Sequence, residues 1–212
     1  MVKKAFAIFL SLIILSSLIC ACQTEQAQDD TPTKNTTNTT QTVPQWKTAY
    51  LNFLEQEKNE HLTYALVYID NDYIPELYLS GNCEAVGDSV CTYKDGAVVE
   101  QQLNRIGGGW YIERSGNIIN QNGNMGHINT HVYKLEGSTF QLTFQAALTE
   151  RVEVLDDDNY VLHYEYSVAE ESVSEDEYNA AVNAAFDFEN AVRLNENEVG
   201  YDLIVQQIME HN

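Results

Sequence analysis

Hydrophobic positions change their spacing twice along the chain, and these changes divide it into elements. In the first region, four apolar residues recur at the spacing of a helix: Trp46, Tyr50, Phe53 and Leu54. Such a repeat places the apolar side chains on one face. Pro44 stands just before this stripe, where a helix start signal is expected. The pattern predicts an N-terminal amphipathic helix.

From His61 onward, β-branched and aromatic residues alternate with polar ones, and turns such as "SGN", "KDG" and "LEGS" separate the runs. Alternation of this kind is typical of strands. It predicts strands near 63–69, 76–80, 89–94, 97–103, 109–114, 117–120, 128–135, 138–147, 150–155 and 160–167. Parallel neighbours need crossovers of about a dozen residues or more, and these connections are shorter. The sequence therefore predicts an antiparallel meander.

The spacing returns to that of a helix at Ser174. Ser174 and Glu177 form a predicted capping box, in which each side chain satisfies a backbone N–H of the first turn. Apolar residues then follow at helical spacing over 178–186, and a last helix is predicted over 198–209. The expected fold class is α+β: a long antiparallel β meander with an N-terminal helix and two C-terminal helices packed on one face.

The first 22 residues have the pattern of an export signal. Two lysines precede an apolar run over 5–19, which is shorter than the roughly 20 residues of a membrane span. The segment ends in "LICAC", with Ala21 before Cys22 and Ile19 three positions before it. This ending resembles a bacterial lipobox. The resemblance implies cleavage before Cys22 and attachment of a diacylglycerol to its thiol. A plain signal peptide or an uncleaved anchor is the alternative.

A threonine-rich segment follows the predicted lipidation site. Residues 23–45 contain eight threonines and no aromatic residue, so the segment buries too little apolar surface to fold. A flexible chain of this length spans about 25 Å. We therefore divide the chain into a lipoprotein signal peptide (1–21), a lipid-anchored tether (22–45) and one extracytoplasmic α+β domain (46–212). The predicted location is the outer face of the cell membrane.

The charge of the chain narrows the classes of partner. The full sequence carries a net charge of −21 at pH 7. Removal of residues 1–21 takes away two lysines and leaves nine basic against 32 acidic side chains, a charge of −23. Nucleic acid and anionic lipid headgroups would be repelled, so the expected membrane contact is the anchor only. Cations, basic peptides and neutral glycans are compatible with this charge.

The stretch "LVYIDNDYIPELYLS" places acidic residues between two predicted strands. The carboxylates of Asp70, Asp72 and Glu76, with the backbone carbonyl of Ile74, offer hard oxygen ligands for calcium. An EF-hand is excluded, because Pro75 stands where that loop needs Gly. The alternative is an acidic turn, in which the aspartates bond to nearby backbone N–H groups.

Within that stretch, "YIDNDYIPEL" resembles the "DxDGDGxPDL" loop of FG-GAP and VCBS-type calcium repeats. In this resemblance Asp70 and Asp72 match two acidic positions, Ile74 matches the carbonyl position, and Glu76 replaces the last Asp. Tyrosines replace the first acid and one Gly. The resemblance covers about ten residues and implies one calcium site.

A wider resemblance covers most of residues 46–190. The segments "YALVYIDNDYIPELYL", "VCTYKDGAVVE", "GNMGHINTHVYKLEG" and "VSEDEYNAA" occur in this order. In this respect the chain resembles a loosely defined set of uncharacterised lipoproteins of Gram-positive gut bacteria. The resemblance implies a fold and a location, and it carries no activity.

Two cysteines of the predicted domain are candidates for a disulfide bond. Cys83 and Cys91 are symmetric about Gly87, so a hairpin centred on that glycine would place them opposite each other. Disulfides persist outside the cell, and a bridge here would contribute roughly 2.5 kcal/mol by chain entropy. Two buried free thiols, or a pair of metal ligands, are the alternatives.

Two further motifs predict ordinary strand structure. His127 and His131 would share a zinc ion if they lay on a helix, but on a strand their α-carbons are about 13 Å apart. The neighbouring β-branched residues favour a strand with two surface or cross-strand histidines. Residues 107–109, three glycines before Trp110, lack the helix start and lysine of a phosphate loop. They predict a flexible loop that enters a strand.

No catalytic signature stands out. The chain has no G-x-S-x-G, no H-E-x-x-H and no secreted cysteine-protease motif. The leading hypothesis is therefore a surface-anchored lipoprotein whose domain binds an envelope or extracellular ligand without catalysis and holds one structural calcium. The alternatives are a hydrolase that acts on cell wall or glycan through unidentified carboxylates, and a structural or immunity-type partner protein.

Overall fold

Two antiparallel sheets and three α-helices make up the part of the chain that the structure describes. This computed structural model describes residues 43–81, 87–103, 107–156 and 159–212. The helices are α1 (Gln45–Gln56), α2 (Glu175–Ala185) and α3 (Tyr201–Glu210). The strands are β1 (Leu62–Val67), β2 (Glu76–Gly81), β3 (Asp88–Lys94), β4 (Ala97–Leu103), β5 (Gly107–Ile112), β6 (Asn117–Asn124), β7 (His127–Glu136), β8 (Thr139–Asp156), β9 (Asn159–Val168), β10 (Glu171–Val173) and β11 (Ala191–Arg193).

The smaller sheet has the order β1-β2-β3-β4, and it is covered on both faces. Its first face packs against α1 and α3, in a core that contains Trp46, Tyr50, Leu54, Tyr64, Leu77, Leu79, Cys91, Ile204 and Ile208. Its second face packs against the larger sheet, in a core that includes Val67, Ile69, Tyr78, Val90, Tyr111, Ile118 and Leu135. Every residue of β2 is therefore buried.

The larger sheet has the order β10-β9-β8-β7-β6-β5-β11. One face contacts the smaller sheet through the side chains of β5, β6 and β7. The opposite face is covered by α2, where Tyr178 and Val182 pack on Ala146. The two short edge strands, β10 and β11, complete this sheet.

The structure confirms the α+β class and the antiparallel meander. The strands divide between two sheets, however, and the helices divide with them: α1 and α3 cover the smaller sheet, whereas α2 covers the larger one. The physical reason is that the middle strands of the smaller sheet are apolar on both faces. A second sheet covers the face that the helices leave open.

The capping box at the start of α2 is confirmed. The Ser174 side chain accepts a hydrogen bond from the Glu177 N–H, and the Glu177 carboxylate accepts one from the Ser174 N–H. Among the described residues, no helix is long and apolar enough to cross a membrane. The predicted signal peptide, Cys22 and nearly all of the predicted tether lie outside the described residues.

Candidate functional site

The acidic loop, residues 68–76, connects β1 and β2 and is held by its own aspartates. Asp70 Oδ1 accepts a 2.9 Å hydrogen bond from the Asp72 N–H, and Asp72 Oδ1 accepts a 2.7 Å bond from the Ile74 N–H. These are the side-chain to backbone bonds of Asx turns. The predicted acidic turn is therefore present, and Ile74 contributes its N–H to it.

Glu76, at the end of the acidic loop, is buried. Its Oε2 accepts a 2.8 Å hydrogen bond from the Ile69 N–H, and its Oε1 accepts a 3.3 Å bond from the Thr92 hydroxyl. Burial is the main cause that raises the pKa of the Glu76 carboxyl to about 8; the charges of Asp70 and Asp72 act in the same direction, and the hydrogen bond from the Ile69 N–H acts against them. Burial also raises the pKa of Asp72. Three acidic groups are thus crowded at this point of the fold, and the crowding and burial favour the protonated form of Glu76.

The three predicted carboxylates converge. One oxygen from each of Asp70, Asp72 and Glu76 lies within 4.8 Å of the other two. Calcium takes six to eight hard oxygen ligands, so these three carboxylates would supply about half of a coordination shell and water or backbone carbonyls the rest. The donor set fits calcium, and the hydrogen bonds within the loop also hold it in shape without an ion.

The predicted hairpin about Gly87 is wrong. The register of β2 and β3 pairs Leu77 with Cys91 and Ser80 with Asp88, so Leu77 stands opposite Cys91. Cys91 is a buried free thiol in the structure, and Cys83 lies outside the described residues. Gly87 has φ +71° and adjoins the start of β3, and it is not the centre of the turn. The predicted hairpin geometry is therefore corrected, and the disulfide itself stays a prediction.

His127 and His131 lie on strand β7, as predicted, and on the same face of the sheet. His127 Nδ1 is 2.7 Å from Thr149 Oγ1 on the neighbouring strand. The His131 ring packs edge-on against Tyr133, and burial lowers the pKa of its imidazole. Their separate partners match the interpretation as cross-strand histidines.

The predicted glycine loop is part of strand β5 itself. A side chain at Gly109 would come within 2.7 Å of Leu194 Cδ1, so the close approach of Leu194 requires glycine there. Trp110 packs against Phe188 and lies beneath the guanidinium of Arg193. These contacts give Gly109 and Trp110 a role in packing.

A cleft of about 160 Å³ on the larger sheet was not predicted. We call it the amide-lined cleft, and its polar side chains are Asn129, His131, Gln145, Ser167 and Glu170. The sheet register explains the depression, because the small side chains of Ala147 and Ser167 lie directly across the strands from Asn129. No sequence motif marks these residues, since only the pairing of β7, β8 and β9 brings them together.

Glu170 reaches the amide-lined cleft from a strained turn. The turn between β9 and β10 consists of Ala169 and Glu170, with φ of +49° and +71°. Two-residue hairpins with two left-handed residues favour Asn-Gly or Gly-Gly, and other residues in such conformations cost on the order of 1 kcal/mol each. The Ala169 N–H donates to the Gln145 carbonyl, which fixes the turn beside the cleft.

The second unpredicted feature is a projecting two-stranded arm. Strand β8 pairs with β7 only as far as Thr149, and β10 pairs only with the last three residues of β9. Residues 150–156 and 159–165 therefore pair only with each other within the described chain. We call these two segments the arm.

The arm has one apolar face, which is exposed. Cross-strand pairs Val152–Leu162 and Val154–Tyr160 lie on it. The exposed fraction is 71% for Val154, 65% for Tyr160 and 58% for Val152. The face continues from the core beneath α2 through Leu148 and Tyr166.

The opposite face of the arm carries charged side chains together with Val161. Arg151 pairs with Glu165 at 2.5 Å, and His163 contacts Glu153 at 2.7 Å. These exposed pairs contribute little to stability. The pair with Glu165 neutralises Arg151, the one arginine of the arm.

Comparison of the sequence with protein-family models and with curated proteins finds no match, and comparison with solved structures finds none either.

Proposed function

We propose that the chain is a surface-anchored bacterial lipoprotein whose extracytoplasmic domain binds a protein partner without catalysis. The observation that carries the proposal is the exposed apolar face of the arm. Contiguous apolar surface on a soluble domain is typical of a protein interaction site. The export signal and lipobox motif of residues 1–22, followed by the tether, support the location at the outer face of the membrane.

The negative charge of the arm favours a basic partner. Residues 150–165 contain six acidic side chains and one arginine, and Arg151 is already paired with Glu165. Complementary charge steers association and excludes like-charged partners. The partner is therefore a protein that presents an apolar surface beside lysine or arginine residues. The charge of the arm opposes an anionic bilayer and a second copy of this acidic chain.

The hydrolase alternative requires two facing carboxylates in one cleft. The amide-lined cleft contains one acidic side chain, Glu170. A second cleft, of about 500 Å³, lies between the start of α1 and the end of α3, and its one acidic side chain is Glu210. Neither of these two clefts offers a glycosidase pair, which favours the binding proposal.

The proposal includes one structural calcium ion in the acidic loop. The convergence of Asp70, Asp72 and Glu76 within 4.8 Å supports it. We expect calcium to raise the Tm of the intact protein relative to chelator, and the Asp70→Ala/Asp72→Ala double variant to remove that rise. Equal melting in calcium and in chelator for the parent protein would leave only the acidic turn.

Photo-crosslinking in intact cells tests the partner. A photoreactive amino acid replaces Val154, on the apolar face, or Val161, which lies on the opposite face and is 39% exposed. We expect position 154 to yield an adduct with a basic protein, and the yield to fall as salt is raised, because screening weakens the attraction. Equal yields from both positions, or an adduct only with a second copy of the chain, would contradict the proposal.

A further inference from the structure

The amide-lined cleft carries unused hydrogen-bonding capacity. Within the described parts of the chain, the side chains of Asn129, Gln145, Ser167 and Glu170 make no hydrogen bond or ion pair. His131 makes only its ring contact with Tyr133. Four of these side chains, Asn129, His131, Gln145 and Ser167, are half-buried, and Glu170 is exposed. Their hydrogen-bonding groups surround one depression and remain available to a ligand.

The chemistry of these side chains defines the ligand. A side-chain amide presents both a donor and an acceptor, a neutral imidazole presents one of each, and a carboxylate accepts only. Such a set matches a molecule whose neighbouring hydroxyl groups each donate and accept. Glu170 and the net charge of the chain disfavour an anion. A single carboxylate among neutral groups gives a cation few ligands, and the polar lining disfavours an apolar molecule.

We propose that the amide-lined cleft binds a neutral saccharide. Pockets for drug-sized ligands usually measure about 300–1,000 Å³, so the volume of about 160 Å³ suits one sugar ring. Gln145 and Asn129 hold adjacent hydroxyls, Glu170 accepts from a third, and Ala147 lies beneath the ring. This site is separate from the arm, because its side chains lie on the sheet face opposite to the apolar face of the arm.

The turn that carries Glu170 gives the proposal a discriminating test. Glycine adopts φ +71° without strain, so Glu170→Gly is expected to raise the Tm of the protein. The same change removes the carboxylate from the cleft and is expected to weaken sugar binding about tenfold. A residue with only a structural role in the turn would show the gain in Tm without the loss of affinity.

Titration of the intact protein, held in detergent, with glucose, galactose, mannose and N-acetylglucosamine measures the binding by NMR. We expect at least one sugar to bind with a Kd on the order of 1 mM and to shift the side-chain amide resonances of Asn129 and Gln145. Gluconate, an acyclic and negatively charged sugar acid, should not bind.

Gln145→Ala is expected to weaken the binding of the same sugar about tenfold. Gln141→Ala is the matched control, because Gln141 is an exposed glutamine on the same strand outside the cleft. Its affinity should equal that of the parent protein. No shift at several times the expected Kd would overturn the proposal. Equal weakening by both glutamine variants, or binding of gluconate as tight as that of glucose, would overturn it as well.

Discussion

At the scale of single residues, burial of Glu76 couples the stability of the fold to pH. Its pKa is about 8 in the folded chain and about 4.3 when unperturbed. A raised acid pKa means that the folded state holds the proton more tightly. The stability that results from the raised pKa of Glu76 is therefore fully present below about pH 4 and is lost as the pH rises to about 8.

Glu76→Gln tests this coupling, because glutamine keeps acceptor and donor atoms in place and does not ionise. In chelator, we compare the free energy of unfolding of the variant with that of the parent protein. We expect the difference to grow in favour of the variant by on the order of 2 kcal/mol between pH 5 and pH 9. Urea unfolding at several pH values measures the difference. Glu136→Gln, at an exposed position, is the control and should show no such gain. A pH-independent difference for Glu76→Gln would contradict the assignment.

Residue identities predicted the acidic loop but not the cleft. Asp70, Asp72 and Glu76 lie within seven positions of one another, so a short turn is enough to bring them together. Asn129, Gln145 and Glu170 are far apart in sequence, and they meet only through the strand register. Register depends on turns and bulges, such as the shift after Val132, which alternation alone does not specify.

At the scale of elements, the capping box of α2 is the clearest case in which local sequence determines where a helix begins. Ser174 and Glu177 satisfy each other's backbone N–H groups, and three acidic residues in the first turn complement the helix dipole. We expect Ser174→Ala to lower the free energy of unfolding by about 1 kcal/mol. Thermal or urea unfolding measures the loss. Ser172→Ala, on the exposed part of β10, should have a much smaller effect, and equal losses would contradict the capping role.

Alternation of apolar and polar residues predicted most strand positions. It did not predict the two three-residue strands, β10 and β11, or the register between β2 and β3. The strands predicted near 138–147 and 150–155 are one continuous strand of 18 residues, because the polar pair Thr149–Glu150 continues the ladder. β10 and β11 contain three residues each, too few for alternation to indicate a strand. The hairpin at Gly87 was misplaced because a glycine with positive φ also occurs beside a strand.

At the scale of the whole molecule, the exposed arm results from a mismatch in length. Strand β8 has 18 residues and spans about 60 Å at 3.3 Å per residue. Helix α2 has 11 residues and spans about 16 Å. It covers the sheet near Ala146 and leaves Val152 and Val154 without cover. Alternation predicted strands at these positions, but it does not specify what covers their apolar side chains.

The proposed lipid anchor also belongs to the scale of the whole molecule. We expect cells that express the chain to incorporate a labelled fatty acid into it, and Cys22→Ser to abolish the label because the acylated thiol is lost. Cys20→Ser is the matched control and should keep the label. Labelling of Cys22→Ser at the parent level would contradict lipidation at this position.

The measurement that tests the proposed binding function most directly is protection of the arm in living cells. Single Val154→Cys and Val161→Cys variants are treated with a membrane-impermeant maleimide, in cells and after purification, with the parent protein as the background. We expect both positions to react in the purified protein. In cells, position 154 should be protected and position 161 should still react. Equal reactivity of position 154 in cells and in isolation would show that nothing covers the apolar face and would contradict the account.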